Sequence, residues 1–300
     1  MIEIRGVSKH FGDVEALASL SAEIKDGQVF GLVGTNGSGK STLLRLIAGI
    51  LKADEGAIGI DGEAVYENPA VKRQICLLPE EGAFLVSDTP NAAADRFAVL
   101  YPAFDRPRFD ALLKRFGLDG TRRFRTFSKG MKKQVIVLLG ICAGTRYLLC
   151  DETFDGLDPV MRQAVKSLFA TEMVDRDFTP VIASHNMREL EDICDHVGLL
   201  HRGRILLSED LTDMKLKIQK VQCVLSDPSK ENDLLGVMDI VSYEKRGRLM
   251  TFVARGDRET ILDRINGFEP VFAEALPLTL EEIFISETEV AGYDIRNLFA

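Results

Sequence analysis

The chain has no C-x-x-C pair, no histidine spacing suited to a metal, and no apolar run long enough to cross a bilayer. Its five cysteines (Cys76, Cys142, Cys150, Cys194, Cys223) are scattered among apolar neighbours, which argues against a disulfide framework and for reduced, buried thiols in a cytosolic protein. The longest apolar stretch, residues 135–144, falls short of the ~20 residues a spanning helix needs, so a membrane role is expected only through a partner. The first residues, Met-Ile-Glu-Ile-Arg, carry neither a basic leader nor an apolar signal core, and no secretory signal is expected. Positive charge is in short supply: 37 Lys and Arg face 46 Asp and Glu, a net −9 that favours neither nucleic acid nor an anionic membrane surface. Internal repeats and low-complexity tracts are missing as well. What remains is a 300-residue chain, 46% hydrophobic, able to bury a full core as one large domain or a large domain plus a small one.

One loop organises what is present. Gly34, Thr35, Asn36, Gly37, Ser38, Gly39, Lys40, Ser41 and Thr42 read G-x-x-G-x-G-K-S-T, a P-loop. It lies between an apolar run at 29–33 and an amphipathic run at 43–47, the strand–loop–helix context that the motif requires. Glycines let successive backbone N–H groups point inward, and the helix start adds a positive dipole end. Lys40 brings a point charge to β- and γ-phosphates, and the Ser41 hydroxyl can ligate Mg²⁺.

Strand patterning surrounds the loop. Alternation around residues 2–7 and 17–24 predicts strands, with Phe11 between them. On the residues alone, Phe11 reads equally as a ring for an adenine face or as an apolar turn residue. Residues 56–61 predict a strand turned at Asp61-Gly62. Residues 75–79 predict a buried strand with Glu80 and Glu81 at its carboxyl end, the edge where α/β sheets place ligands. Glu80 there could reach Mg²⁺ or be simply solvated. Period-3.6 patterning at 92–100 and 109–116 predicts a helical insertion. Arg122, Arg123, Arg125, Lys129, Lys132 and Lys133 bracket Phe127-Ser128-Lys129-Gly130-Met131, ahead of an apolar helix at 135–141. Ser128 is a natural N-cap and Gly130 admits close backbone approach, so this is either an anion-holding helix start or an ordinary capped helix with a solvated charged face.

Residues 147–152 form an apolar strand ending in Asp151 and Glu152. Downstream of a P-loop this reads as a Walker B: Asp151 for Mg²⁺, Glu152 for orienting and deprotonating the attacking water. A tight turn at 154–159 precedes a helix with Val165, Leu168 and Phe169 on its buried face, and a strand at 181–185 ends in His185, placed to touch a γ-phosphate. His196 and His201 read as surface residues. The tail from about 219 reads strand, short helix, two strands, helix, strand, helix, a small α+β unit with no glycine-rich loop and no acid pair at a strand end. We read it as an interaction or dimerisation module.

The order of these motifs resembles the nucleotide-binding domain of ABC transporters over about residues 1–215, with residues 216–300 as a small C-terminal α+β extension. Residues 34–42 look like Walker A and 147–152 like Walker B with the catalytic glutamate. Residues 127–131 are similar to the ABC signature, 155–158 to the D-loop, His185 to the switch histidine, Phe11 to the A-loop aromatic, and Glu80 stands where a Q-loop glutamine is expected. Residues 101–105 and 128–134 look most like exporter-type bacterial subunits. The resemblance implies a P-loop NTPase of the ABC type, an α/β fold with a mixed sheet core, an antiparallel edge and a helical subdomain at about 85–145. It implies ATP and Mg²⁺ as ligands, with Lys40, Glu152 and His185 as catalytic residues. Ser41, Asp151 and Glu80 would meet the metal. Phe11, the loop residues 34–42, Glu80, Ser128, Gly130 and Asp158 would contact nucleotide, with Ser128 and Gly130 acting across a head-to-tail dimer.

The implied partners are a transmembrane permease and a second copy of the chain, at the inner face of the cell membrane, with no nucleic acid. A soluble ABC ATPase acting on ribosomes or DNA, and a nucleotide-sensing regulator, are the rival readings. Three departures stand out: Glu80 for glutamine, Lys129 and Met131 within the signature, and Thr153 where proline is common.

Overall fold

The structure is a computed structural model that describes residues 1–80 and 88–290, so Glu81 and the start of the helical segment expected at 85 lie outside the described residues. The chain forms two compact units, divided between Ser208 and Glu209.

The first unit opens with an antiparallel hairpin, β1 (Ile2–Phe11) and β2 (Val14–Ile24), followed by β3 (Phe30–Val33) and helix α1 (Lys40–Ile47). Strand β4 (Glu55–Ile60) turns through Asp61 and Gly62, whose φ values of 51° and 84° are those an Asp-Gly hairpin turn demands, into the short β5 (Glu63–Ala64). Then come α2 (Pro69–Lys72), β6 (Ile75–Leu78) and three helices, α3 (Pro90–Leu100), α4 (Arg106–Arg115) and α5 (Lys129–Cys142). The unit closes with β7 (Tyr147–Asp151), α6 (Pro159–Asp175), β8 (Thr179–Ser184), α7 (Met187–Ile193), β9 (His196–His201) and β10 (Arg204–Asp210). Among the described residues no helix is long and apolar enough to cross a membrane.

A six-stranded sheet runs β10-β9-β3-β8-β7-β6, and β9, β3, β8, β7 and β6 are parallel neighbours. Every residue of β3, β7 and β8 is buried, which is why these strands read as unbroken apolar runs rather than alternating ones. The second sheet, β2-β1-β4-β5, packs Ile2, Ile4 and Val7 into one core with Leu43, Leu44, Leu46 and Ile47 of α1. The helical segment has its own core, built on Phe109, Phe124, Phe127, Val135 and Leu138. Helix α5 starts well before the apolar run at 135–141, because the Ser128 hydroxyl accepts from Met131 N (3.2 Å) and caps the helix there.

Register decides where the motifs emerge. Val33 pairs with Ser184, Leu78 with Cys150, and Asp151 with Ala183. The four strands therefore end together, and the segments that follow them share one edge of the sheet.

Two expectations need correction. His196 and His201 are half-buried: His196 stacks on Phe30 with ring centroids 5.3 Å apart, because both ends of β9 are covered. Lys133 is not on a solvated face but is buried, its ammonium donating to the Glu152 carbonyl at 2.5 Å. All five cysteines are buried and free.

The second unit contains α8 (Leu211–Leu216), β11 (Ile218–Leu225), α9 (Glu231–Gly236), β12 (Asp239–Arg246), β13 (Leu249–Arg255), α10 (Arg258–Asn266), β14 (Pro270–Pro277) and α11 (Leu280–Val290). From β11 to β14 the order is βαββαβ, and the antiparallel sheet runs β12-β13-β11-β14, the split ferredoxin-like arrangement. Val221, Cys223, Met250 and Phe252 meet Ile261 and Ile265 of α10 in its core.

Candidate active site

The loop after β3 is shaped for close approach. Gly39 has φ +108°, and a Cβ there would lie 2.6 Å from the Ala16 carbonyl. A Cβ on Gly34 would meet Leu200 O at 2.4 Å and Ser38 Oγ at 2.5 Å. The Ser38 hydroxyl is buried and has no hydrogen-bond partner among the described residues, an unspent donor within the loop.

Lys40 opens α1 and is only 5% exposed. Its ammonium donates to Gly34 O (2.9 Å) and Thr35 O (3.2 Å) and lies 3.2 Å from Glu152 Oε1. Ser41 Oγ donates to Asp151 Oδ1 at 2.8 Å. This hydroxyl–carboxylate pair is the hard oxygen set that Mg²⁺ takes together with phosphate oxygens, so the residues fit that ion. Burial raises the Asp151 carboxyl above its ordinary range, and the Glu80 charge adds to the rise while Ser41 opposes it. Glu80 itself is exposed, just past the end of β6.

Glu152 lies just past the end of β7 with φ +49°, a left-handed backbone that is strained for a non-glycine residue. The surroundings hold it there: Glu152 N donates to Ala183 O at 2.9 Å, and Lys133 clamps its carbonyl. Its Oε2 is 2.7 Å from His185 Nδ1. Burial, and then Asp155, push the Glu152 carboxyl up, which makes it a stronger base than a solvated glutamate.

The structure thus brings Lys40, Ser41, Asp151, Glu152 and His185 together, with Glu80 beside them. Phe11 ends β1 with its ring half exposed, in the hairpin whose Ala16 backbone packs on Gly39. Ser128 and Gly130 lie instead at the start of α5, with Gly130 near the Gly156 carbonyl. Asp158 accepts from Met161 N at 2.9 Å as the N-cap of α6.

Sequence reasoning placed Asp155 in the D-loop match without a partner, and it missed two members of this cluster, Glu189 and Ser184. Asp155 Oδ1 accepts from Ser184 Oγ at 2.8 Å, and Oδ2 is 3.4 Å from His185 Nδ1. Burial alone would raise Asp155, but hydrogen bonds from Glu152, Ser184 and Glu189 outweigh it and hold the carboxyl below its ordinary value. Glu189 Oε1 accepts from Gly156 N at 3.3 Å, and Arg162 lies 3.8 Å away. The available signal was position: Glu189 is an acid in the first turn of α7, which begins just after His185.

Burial, and then Asp155, push Glu189 from the ordinary 4.5 up to about 7. The folded chain therefore keeps a proton that the unfolded chain releases, and stability falls as pH rises from about 4.5 to 7. Glu189→Gln removes this term while keeping an acceptor for Gly156 N. In thermal melts the variant should gain on wild type by about 3 °C or more between pH 5 and pH 8. A pH-independent difference would contradict the buried, proton-holding state of Glu189.

Comparison with known proteins follows the same lines. Residues 17–155 match the ABC transporter family. The ABC transporter ATP-binding protein YtrB of Bacillus subtilis is 32% identical over 96% of this chain and 98% of its own length. The bacitracin transport ATP-binding protein BcrA of Bacillus licheniformis is 28% identical over 81% of each chain. The methionine import ATP-binding protein MetN of Clostridium tetani is 29% identical over 72% of this chain and 71% of its own. Among solved structures, an ATP-binding subunit of an ABC transporter superposes with a TM-score of 0.64 at 25% identity, over 72% of this chain and 92% of that one.

Proposed function

The chain belongs to the ABC transporter family as an ATP-binding, ATP-hydrolysing subunit, and from that premise we propose that two copies close head to tail on ATP to power an exporter through a transmembrane permease. The observation that carries the reading is the meeting at one sheet edge of two hydrogen-bonded groups, Ser41 with Asp151 and Lys40 with Glu152 and His185.

In this reading Phe11 stacks on the adenine, and the backbone of residues 34–42 with Lys40 holds the β- and γ-phosphates. Mg²⁺, held by Ser41 and Asp151 with Glu80 beside them, neutralises phosphate charge when bound. Glu152 takes the proton of the attacking water, and His185 faces the γ-phosphate. Ser128 and Gly130 of the second copy complete the shell around that phosphate, and Asp158 faces the same interface. Hydrolysis removes the interactions that only the γ-phosphate can make, so the closed dimer loses its differential stabilisation and opens. The C-terminal unit is read as an interaction module.

A surface cavity of about 390 Å³ lies where the helical segment meets the start of β6, lined by Lys72, Arg73, Ile75, Leu100, Tyr101 and Pro102 among others. We assign it to a cytoplasmic helix of the permease, with apolar packing on Leu100, which is 70% exposed, and acidic residues toward Lys72 and Arg73. Export is favoured by the resemblance of residues 101–105 and 128–134 to exporter-type subunits.

The test is recovery of tagged Glu152→Gln protein from solubilised native membranes with ATP and Mg²⁺. A polytopic membrane protein in near-stoichiometric yield is the expected result. Ribosomal or DNA-repair proteins in its place would overturn the transporter reading. Adding Leu100→Asp should cut permease recovery by about tenfold or more, as loss of an interface anchor does, without changing ATP binding by the free subunit. Unchanged recovery would remove the cavity from the interface.

A further inference from the structure

Asp155 takes no part in the reading above, yet it touches both acting side chains. His185 Nδ1 faces two carboxylates, Glu152 Oε2 at 2.7 Å and Asp155 Oδ2 at 3.4 Å. The two acids differ in what holds them. Glu152 lies between His185 and the Lys40 ammonium, on the side where phosphate and water would react. Asp155 is anchored away from that side by Ser184 Oγ, which donates to it at 2.8 Å and itself accepts from Asn186 N at 2.9 Å. The turn that begins at Asp155 is also pinned: Gly156 N donates to Glu189 Oε1, and Arg162 Nη1 donates to Leu157 O at 2.8 Å.

A base that turns from His185 to a water must release the Nδ1 hydrogen bond. The ring is half exposed, so a released N–H turns either to water or to a fixed acceptor, and only a fixed acceptor keeps the ring from rotating. Asp155 Oδ2 is that acceptor, already on the same nitrogen.

We propose that Asp155 is a positioning residue that takes over the His185 Nδ1 hydrogen bond while Glu152 works on the attacking water, keeping the ring aimed through the step. The proposal rests on the roles given to Glu152 and His185 above.

The full-length chain with ATP and Mg²⁺ provides the test. Asp155→Ala should lower kcat about tenfold, the worth of one hydrogen bond to a charged group, with KM for ATP unchanged. Asp155→Asn, which keeps an acceptor oxygen and the side-chain size, should stay within about threefold of wild type. In a His185→Ala background, followed in single turnovers, Asp155→Ala should add nothing further. A second readout does not depend on activity. In the long-range ¹H–¹⁵N spectrum of the chain's four histidines, Asp155→Ala should move the His185 signals alone, whereas a folding defect would move all four.

An unchanged kcat in Asp155→Ala, or a loss that adds in full to that of His185→Ala, overturns the proposal. If His185→Ala turns over like wild type, the role of His185 falls and this inference with it. If His185→Ala is impaired and Asp155→Ala is not, only this inference falls.

Discussion

Glu152→Gln is expected to lower steady-state phosphate release by about a thousandfold while ATP still binds, within the range that a positioned general base contributes. The substitution is nearly isosteric. The Glu152 side chain is only 8% exposed and is already fixed by Lys40 at 3.2 Å and His185 at 2.7 Å, so glutamine can occupy the same place. What it cannot do is accept the water's proton. Burial raises the Glu152 carboxyl, so the wild-type rate should climb with pH through a point above the ordinary glutamate range, and that limb should vanish in the variant. Removing a negative charge beside the phosphates also favours ATP. With turnover blocked, the closed dimer should accumulate with ATP and elute as a dimer in size-exclusion chromatography. Phosphate release near the wild-type rate would remove Glu152 from the role of base.

The parts of this site that were legible in sequence are those written in local chemistry. A P-loop needs its glycines, lysine and serine within one short stretch, because one backbone turn must wrap one phosphate chain. Asp151, Glu152 and His185 were legible because a buried parallel strand has little reason to end in acids or histidine unless that edge holds a ligand. Even the order of elements in the second unit was readable, since its central strand β11 is covered on one face by α9 and α10 and alternates accordingly.

The supporting interactions were hidden for the opposite reason. Lys133 sits in a run of cations that looks solvated, and only the packing of α5 carries its ammonium to the Glu152 carbonyl. Asp155 looks like a turn residue until β8 brings Ser184 and His185 against it. Thr153, a departure from the common proline, is buried and gives its hydroxyl to the Leu78 and Asp151 carbonyls at 3.4 and 3.2 Å, a link between β6 and β7 that proline could not make. Among its described residues the second unit offers no such convergence of polar groups at a strand edge, so its fold is readable while its partner is not.

Lys40→Ala should weaken ATP binding by about a hundredfold and abolish turnover with it, a pattern opposite to that of Glu152→Gln. Removing a charge-assisted hydrogen bond from a desolvated site costs about 2–3 kcal/mol, which sets that scale. The lysine is buried, and its ammonium is held by two loop carbonyls and one carboxylate, so it is aimed before any phosphate arrives and little side-chain freedom is left to lose on binding. The cost to folding should be smaller than the cost to binding. Alanine removes a buried ammonium together with its desolvation penalty, and the Glu152 carboxyl, already raised by burial, can keep a proton once its cation is gone. Thermal melting without nucleotide should therefore change little, while titration calorimetry with ATP should show the weaker binding. Unchanged ATP affinity would refute the assignment of Lys40. A collapse of stability with intact affinity per folded molecule would make Lys40 a structural cation that the phosphates do not use.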